Sequence, residues 1–217
     1  MKVQEIHNQL KKYGEEGRKM FVTSSFQTHS IPLLHILAQS EVKVDVLFIN
    51  TGFHFPETVS FRDEVSELLG LNLIDVRSQV PKSQQKDGNG QLYFVSDPDY
   101  CCFLNKTQPM EPFLMQYDVW INGVRADQSA VRKNMKVEQS APFDTLRFHP
   151  MLDWSIQEIY AYKAQHQLPD HPLDQEGYQS IGCAPCTRKP DLNDERSARW
   201  FGMNKTECGL HTELISK

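Results

Sequence analysis

Three apolar runs punctuate the first third of the chain, each followed by polar residues and, after the first two, by helical spacing. Residues 20–23, Met-Phe-Val-Thr, read as a buried strand, residues 44–49 as the clearest strand of all, and residues 71–76 as a third. Between them, residues 31–37 open a helix with Ser30 as its expected N-cap and Pro32 in the first turn, where a missing N–H costs nothing. Residues 57–70 keep helical spacing until Gly70 stops them. A short amphipathic helix is expected over residues 6–19. Strand, helix, strand, helix, strand predicts right-handed crossovers and a parallel sheet, with ligands at the carboxyl ends of the strands.

Beyond residue 76 the pattern loosens. Residues 77–100 are polar, with 86–90, Lys-Asp-Gly-Asn-Gly, as a turn or disordered tip. A helix is expected to carry Cys101, Cys102 and Lys106. Residues 118–122 read as a strand ending in a loop over 123–129, and residues 145–148 as a further short strand. Asp153 or Ser155 can cap a helix that continues to about His166. The chain is then loop-like as far as Cys183-Ala184-Pro185-Cys186, and Trp200 with Phe201 is expected to dock the tail on the body. There is no internal repeat. The expected organisation is an N-terminal helical segment over 1–18, an α/β domain over 19–200 and a C-terminal tail over 201–217.

Composition narrows the function classes. The length of 217 residues suits one α/β domain with an appendage, and the formal charge of -5 argues against a general nucleic-acid or membrane-surface binder. Any anionic ligand must therefore meet local positive charge. The first ten residues lack a signal-peptide apolar run, and no stretch reaches membrane-spanning length, so a soluble cytoplasmic protein is expected. In that reducing compartment five cysteines point to metal binding or catalysis before disulfides.

Four of the five form two pairs, Cys101-Cys102 and Cys183 with Cys186, a count that zinc and iron–sulfur clusters share. The pairs lie 81 residues apart, so a metal would clamp two parts of a folded domain. Adjacent cysteines splay badly around one small zinc ion; a larger cluster with a separate iron per thiolate tolerates them better. Lys106, one helical turn beyond Cys102, would share its face and offset its charge. Arg125, Arg132, Arg196 and Arg199 offer guanidinium forks suited to phosphate or sulfate oxygens, though each alone also reads as a surface residue. Ser24 and Ser25 open a hydroxyl-rich loop before a helix N-terminus, a place where phosphate binds and where capping serines alone also occur. The fifth cysteine stands in Glu207-Cys208-Gly209-Leu210-His211. It reads either as an incidental thiol near the end of the chain or as a nucleophile whose thiolate His211 or a nearby arginine favours.

These motifs resemble the assimilatory sulfonucleotide reductase family, specifically its iron–sulfur type acting on adenosine 5′-phosphosulfate. The resemblance runs from about Met20 to His211. It rests on Cys101-Cys102 with Lys106, residues 181–188 around the second cysteine pair, Arg196 and Arg199 before Trp200, and the terminal Cys208 motif. Residues 50–58 and 120–125 carry it less specifically. It implies a parallel-sheet, adenine-nucleotide alpha-hydrolase-like (Rossmann-like) fold with a mobile C-terminal tail, and a [4Fe-4S] cluster on Cys101, Cys102, Cys183 and Cys186. Ser24 and Ser25 would face the phosphosulfate, and Thr51 and Gly52 the adenosine. Gly123 belongs to the matching strand-end loop, where Arg125 would join Lys106, Arg196, Arg199 and His211 at the sulfate end; Arg132 is a further candidate cation. Cys208 would attack sulfur, release AMP and leave an S-sulfocysteine, from which a thioredoxin or glutaredoxin thiol would free sulfite for cysteine biosynthesis. No redoxin-like domain follows Cys208, so the reductant would be a separate protein; whether the chain forms a homo-oligomer stays open.

The chain departs from the family pattern at three places. Gln27 stands where glycine is usual, Ala126 where a second arginine follows Arg125, and Asn50 where aspartate is common. Two other substrate readings therefore stay open: reduction of the 3′-phosphorylated nucleotide, and acceptance of both. A non-catalytic metal-stabilised nucleotide-binding module and an ATP pyrophosphatase-type enzyme are the readings from other classes. The last would want a Ser-Gly-Gly-x-Asp-Ser-like loop where residues 25–30 read Ser-Phe-Gln-Thr-His-Ser.

Overall fold

Each apolar run becomes a strand of one six-stranded sheet in the computed structural model, which describes residues 1–190, 199, 200 and 210. The strands are β1 (Met20–Thr23), β2 (Asp45–Ile49), β3 (Leu73–Val76), β4 (Val119–Asn122), β5 (Glu138–Ser140) and β6 (Leu146–Phe148), and their order across the sheet is β3-β2-β1-β4-β6-β5. The first five in that order pair in parallel. The sixth, β5, runs antiparallel to β6 at the edge, so the expected parallel sheet carries one antiparallel edge strand. Its polar residues, Glu138-Gln139-Ser140, have neither the apolar run of a central strand nor a buried face, so no periodicity announces it.

Helices cover both faces. They are α1 (Val3–Glu15), α2 (Ile31–Ala38), α3 (Pro56–Leu69), α4 (Tyr93–Ser96), α5 (Pro98–Cys102), α6 (Gln108–Gln116), α7 (Ala130–Lys133) and α8 (Ile156–Gln165). Successive strand residues point to opposite faces, which divides the core. Val22, Val46, Phe48 and Phe148 meet Ile6 and Leu10 of α1, Leu34 of α2 and Ile159 of α8. Phe21, Leu47 and Trp120 meet Met110 and Leu114 of α6 on the other side. Each fully buried aliphatic or aromatic side chain of this kind contributes roughly 1.5–3 kcal/mol. Because α1 packs into the main core, it is part of the same body as the sheet.

Local chemistry explains most boundaries. Gly70 takes the left-handed conformation, φ 61°, and closes α3 as a C-cap. Ser155 caps α8 reciprocally with Glu158. Ser30 does not cap α2 through its side chain: a 3₁₀ turn at Thr28–Ser30 runs straight into the helix, and the Ser30 hydroxyl pairs with that of Ser25 at 3.2 Å instead. The amino-terminal helix ends at Glu15, earlier than expected, and Gly17 at φ 72° turns the chain toward β1.

The cysteine-bearing helix is not a regular α-helix. Between α5 and α6 the chain widens into a π turn over Phe103–Thr107, where bonds reach back five residues instead of four. The extra residue per turn keeps Lys106, five residues after Cys101, on the side of the cysteine pair.

Candidate functional site

The strand order reverses between β1 and β4, and a cavity of about 490 Å³ opens there, at the carboxyl ends of these strands. Thr23 and Ser24 reach it from β1, and Asn122 and Gly123 from β4, whose registers pair Thr23 with Asn122. After β1 the chain bends at Phe26, whose φ of 53° is unusual for a bulky residue. That bend buries the Phe26 ring against Phe48 in the core and leaves Ser24 and Ser25 on the cavity wall. Gln27 bridges two segments, its amide nitrogen donating to Ser25 Oγ at 3.1 Å and its oxygen accepting from Ile181 N at 2.9 Å. The residue that departs from the family pattern thus ties the serine loop to the second cysteine segment.

Positive charge gathers on this cavity. Among the described residues Lys106, Arg125, Arg132 and Arg199 line it, against one carboxylate, Asp127. Arg125 is 2% exposed and donates from Nε to Asp127 Oδ1 at 3.0 Å. Gln128 Oε1 accepts from Arg125 N and from the Arg132 guanidinium, which fixes both arginines around one turn. Arg199 donates to the Cys186 carbonyl at 3.3 Å and lies over the Trp200 ring. Gly123 approaches Leu33 so closely that a Cβ there would lie 3.3 Å from its methyl. In a chain of net charge -5, this local concentration is what an anionic ligand requires.

Two neutral imidazoles border the cations. Burial, reinforced by the Arg125 guanidinium, pushes His29 down to about 4, and its Nε2 pairs with the Tyr160 hydroxyl at 3.0 Å. Burial pushes His54 down to about 4 as well, with Lys106 and Arg62 adding to the effect. Its Nε2–H donates to the Ile49 carbonyl at 3.0 Å, so Nδ1 is an acceptor at the cavity, buried and without a partner among the described residues.

A second, smaller pocket adjoins the first. Cys101, Cys102, Cys183 and Cys186 all line it, and Lys106, Cys183 and Trp200 line both pockets. The four cysteines are free thiols. Burial first, then the neighbouring Cys102, Cys183 and Cys186, pushes the Cys101 thiol up to about 12, while Lys106 opposes the shift. Cys186 is pushed up by burial and by Cys183, with Lys106 again opposing. Thr51 shares a hydrogen bond of 3.2 Å with Cys183 Sγ. Among the described residues no three His, Cys, Asp or Glu side chains are grouped tightly enough to hold a metal ion. A single zinc would draw its ligands to about 2.3 Å. A cluster with one thiolate per iron spreads them more widely.

The structure therefore gathers Ser24, Ser25, Lys106, Gly123, Arg125, Arg132 and Arg199 around one cavity, and the four paired cysteines around its neighbour. Thr51 belongs to the cysteine pocket, and Gly52, at φ 71°, packs against Lys82; neither lines the larger cavity. Cys208, His211 and Arg196 lie outside the described residues, as does Phe201. Leu210 is described: it lines the larger cavity and packs against the sheet face that carries Trp120. Trp200 is buried, as expected of a docking residue. Sequence reasoning gave no role to His54 and Asn122, though both fall within residues 50–58 and 120–125, because a single polar residue carries no periodic or spacing signal.

A mostly parallel sheet with its cavity at the strand-order reversal defines an α/β protein of the adenine-nucleotide alpha-hydrolase-like fold. The chain belongs to the phosphoadenosine phosphosulfate reductase domain family, whose match spans residues 19–189. It is 38% identical over 200 residues to the adenosine 5′-phosphosulfate reductase of Rhodococcus opacus, covering 91% of this chain and 81% of that one. It is 41% identical over 181 residues to the same enzyme of Rhodococcus erythropolis, covering 82% and 73%. The crystal structure of phosphoadenylyl-sulfate reductase from Candida auris in its phosphate complex superposes with a TM-score of 0.67 at 18% identity, covering 84% of this chain and 94% of that one. No described helix is long and apolar enough to cross a membrane.

Proposed function

We propose that the chain reduces adenosine 5′-phosphosulfate to sulfite and AMP in assimilatory sulfate reduction, drawing electrons from a thioredoxin- or glutaredoxin-type dithiol in the cytoplasm. The observation that carries this reading is Lys106, which lines both the cation-rich cavity and the four-cysteine pocket. The naming of its relatives as adenosine 5′-phosphosulfate reductases supports the substrate. A body over 19–200 would bind the nucleotide, and a tail over 201–217 would bring the nucleophile to it; Leu210 on the cavity wall, two residues along from Cys208, supports that division.

The proposed reaction has two steps. In the first, the Cys208 thiolate forms a bond to the sulfur of the phosphosulfate, and the bond from that sulfur to the bridging oxygen breaks. AMP leaves with the electron pair, and Cys208 carries a sulfonate. Lys106, Arg125, Arg132, Arg196 and Arg199 would shield the anions as they approach, Ser24 and Ser25 would hydrogen-bond the phosphosulfate, and Gly123 leaves the strand end open to it. Thr51 and Gly52 would act from the neighbouring turn, and His211 would favour the thiolate. In the second step a thiolate of the dithiol attacks Cys208 Sγ and expels sulfite. The partner's second thiol resolves the mixed disulfide, so sulfur is reduced by two electrons while the dithiol becomes a disulfide.

Cys101, Cys102, Cys183 and Cys186 would hold a [4Fe-4S] cluster. The donor set fits: four free thiols on one pocket, each pair from a different part of the chain, with a lysine among them. Burial and mutual repulsion hold Cys101 and Cys186 protonated as thiols, and a bound metal reverses that preference. The cluster would supply a fixed charge distribution beside Lys106, not electrons for the reaction.

Anaerobically purified protein mixed with nucleotide and no reductant should gain one sulfonate on Cys208, and adding reduced thioredoxin should release sulfite. Cys208→Ser should abolish both while nucleotide binding persists; turnover by that variant would overturn the nucleophile. Preference for the 3′-phosphorylated nucleotide in the same assay would replace the proposed substrate.

A further inference from the structure

A buried amide pair borders the cysteine pocket, with Asn105 on its lining, and nothing in the proposed reaction uses it. Asn105 is 2% exposed and Gln85 is 1% exposed. Their side chains exchange two hydrogen bonds: Gln85 Nε2 donates to Asn105 Oδ1 at 2.9 Å, and Asn105 Nδ2 donates to Gln85 Oε1 at 2.6 Å. The orientation of both amides is determined by their outer neighbours. Gln85 Nε2 faces the Val80 carbonyl at 2.8 Å, and Asn105 Nδ2 faces the Cys101 carbonyl at 2.9 Å, so each outer end must be the NH₂. That same Asn105 nitrogen lies 3.7 Å from Cys101 Sγ.

We propose that Asn105, held by Gln85, is a positioning residue that donates an N–H···S hydrogen bond to the Cys101 thiolate and slows loss of iron from it. This rests on the reading of Cys101 as a cluster ligand. Asn105 Nδ2 has two hydrogens and three acceptors within reach. An iron-bound thiolate carries more charge than a thiol and takes a larger share of the donor. The π turn at Phe103–Thr107 carries both residues, Asn105 beside Cys101 and Lys106 on the lining of the same pocket. Groups that hydrogen-bond a metal ligand fix its orientation, and their removal commonly lowers metal affinity by about 10- to 100-fold.

The test uses the full chain purified without oxygen, with iron and acid-labile sulfide measured per chain. The decay of the visible absorbance is then followed under air and under an iron chelator. The variants are Asn105→Asp, which keeps the shape and the bond from Gln85, and the double variant Gln85→Leu/Asn105→Leu, which removes both amides together. Both should assemble iron and lose it about tenfold faster than the natural chain. Thermal unfolding of the double variant, which leaves no single amide stranded, separates loss of the hydrogen bond from loss of the fold. A folded double variant whose iron loss matches the natural chain within a factor of about two overturns the inference and leaves the ligand reading standing. A natural chain that holds no iron under these conditions overturns both. Should either variant fail to fold, the natural chain decides: resonance Raman bands of the iron–cysteine stretches should shift on exchange into heavy water, and their invariance overturns the inference.

Discussion

The guanidinium of Arg199 occupies the space that a side chain on Gly182 would need. The glycine immediately before Cys183 therefore makes room for the Arg199 guanidinium, and its φ is not in the left-handed region. Arg199 sits there by donating to the Cys186 carbonyl and through an isolated antiparallel backbone bridge to Thr187. A methyl group at Gly182 would push the arginine out of the cation cluster. Gly182→Ala should raise KM for the nucleotide about tenfold, the equivalent of one charge-assisted hydrogen bond. Iron content should stay unchanged. Equal KM for variant and natural chain, by sulfite release, would remove Arg199 from the substrate site.

The two cysteine pairs belong to segments separated by 81 residues, and the pocket between them is where a cluster would tie α5 to the loop at 183–186. Stripping iron with a chelator under reducing conditions should lower the thermal midpoint by roughly 5 °C or more, since a chain of this size shifts about 2–4 °C per kcal/mol. Hydrogen exchange should rise at residues 98–107 and 183–187 and stay unchanged at β1 and β4. Uniform exchange across the sheet after iron removal would argue that the cluster supports the whole fold.

Asp75 gathers three donors at the end of β3: Arg62 Nη1 at 3.1 Å, Arg77 Nε at 2.6 Å and Asn50 Nδ2 at 3.2 Å. Arg62 is 8% exposed and lies over the Phe48 ring, so it depends on its carboxylates, whereas the Arg77 side chain is largely in solvent. Asp75→Ala should therefore lower stability by about 1–3 kcal/mol, as the buried Arg62 keeps Asp63 but loses the second of its two carboxylates. Arg77→Ala should change it by less than about 0.5 kcal/mol. Urea unfolding with unchanged m-values checks both; equal losses would show that the exposed pair carries as much as the buried one.

Central strands and their helices were legible in the residues because burial on both faces demands long apolar runs, as at Phe21-Val22 and Val46-Leu47-Phe48. Gly70 and Ser155 announced helix ends because αL geometry and N-cap bonding select those residue types. The edge strand at Glu138 escaped notice because an edge tolerates a polar sequence. The π turn escaped because residues 103–107, Phe-Leu-Asn-Lys-Thr, read as an ordinary helical turn. At the site, cysteine spacing and Lys106 stood out from sequence. The contribution of Gln27 and the Asn105–Gln85 pair depend on partners 154 and 20 positions away, and the neutral state of His54 on its burial in the folded chain, none of which a local pattern encodes.

Stability should decline below neutral pH because His171 is locked neutral. Its ring is fully buried, Nδ1 accepts from Leu173 N at 3.2 Å, and Nε2 consequently carries the hydrogen that it donates to Thr58 Oγ1 at 3.0 Å. A second proton on Nδ1 would face an N–H, and burial pushes the group down to about 4, with Glu57 pulling weakly the other way. In the unfolded chain the same imidazole titrates near 6.5. Between those values the unfolded state binds the extra proton, so the stabilisation is complete above about pH 6.5 and falls by roughly 1.4 kcal/mol per pH unit as pH drops toward 4. His149, also fully buried and also pushed down to about 4 by burial, adds to the slope in the same direction. The urea midpoint should fall steadily from pH 7 to pH 5. His171→Gln, weaker at pH 7 for losing these bonds, should show a shallower decline over that interval. An unchanged slope in that variant would assign the acid sensitivity to other groups.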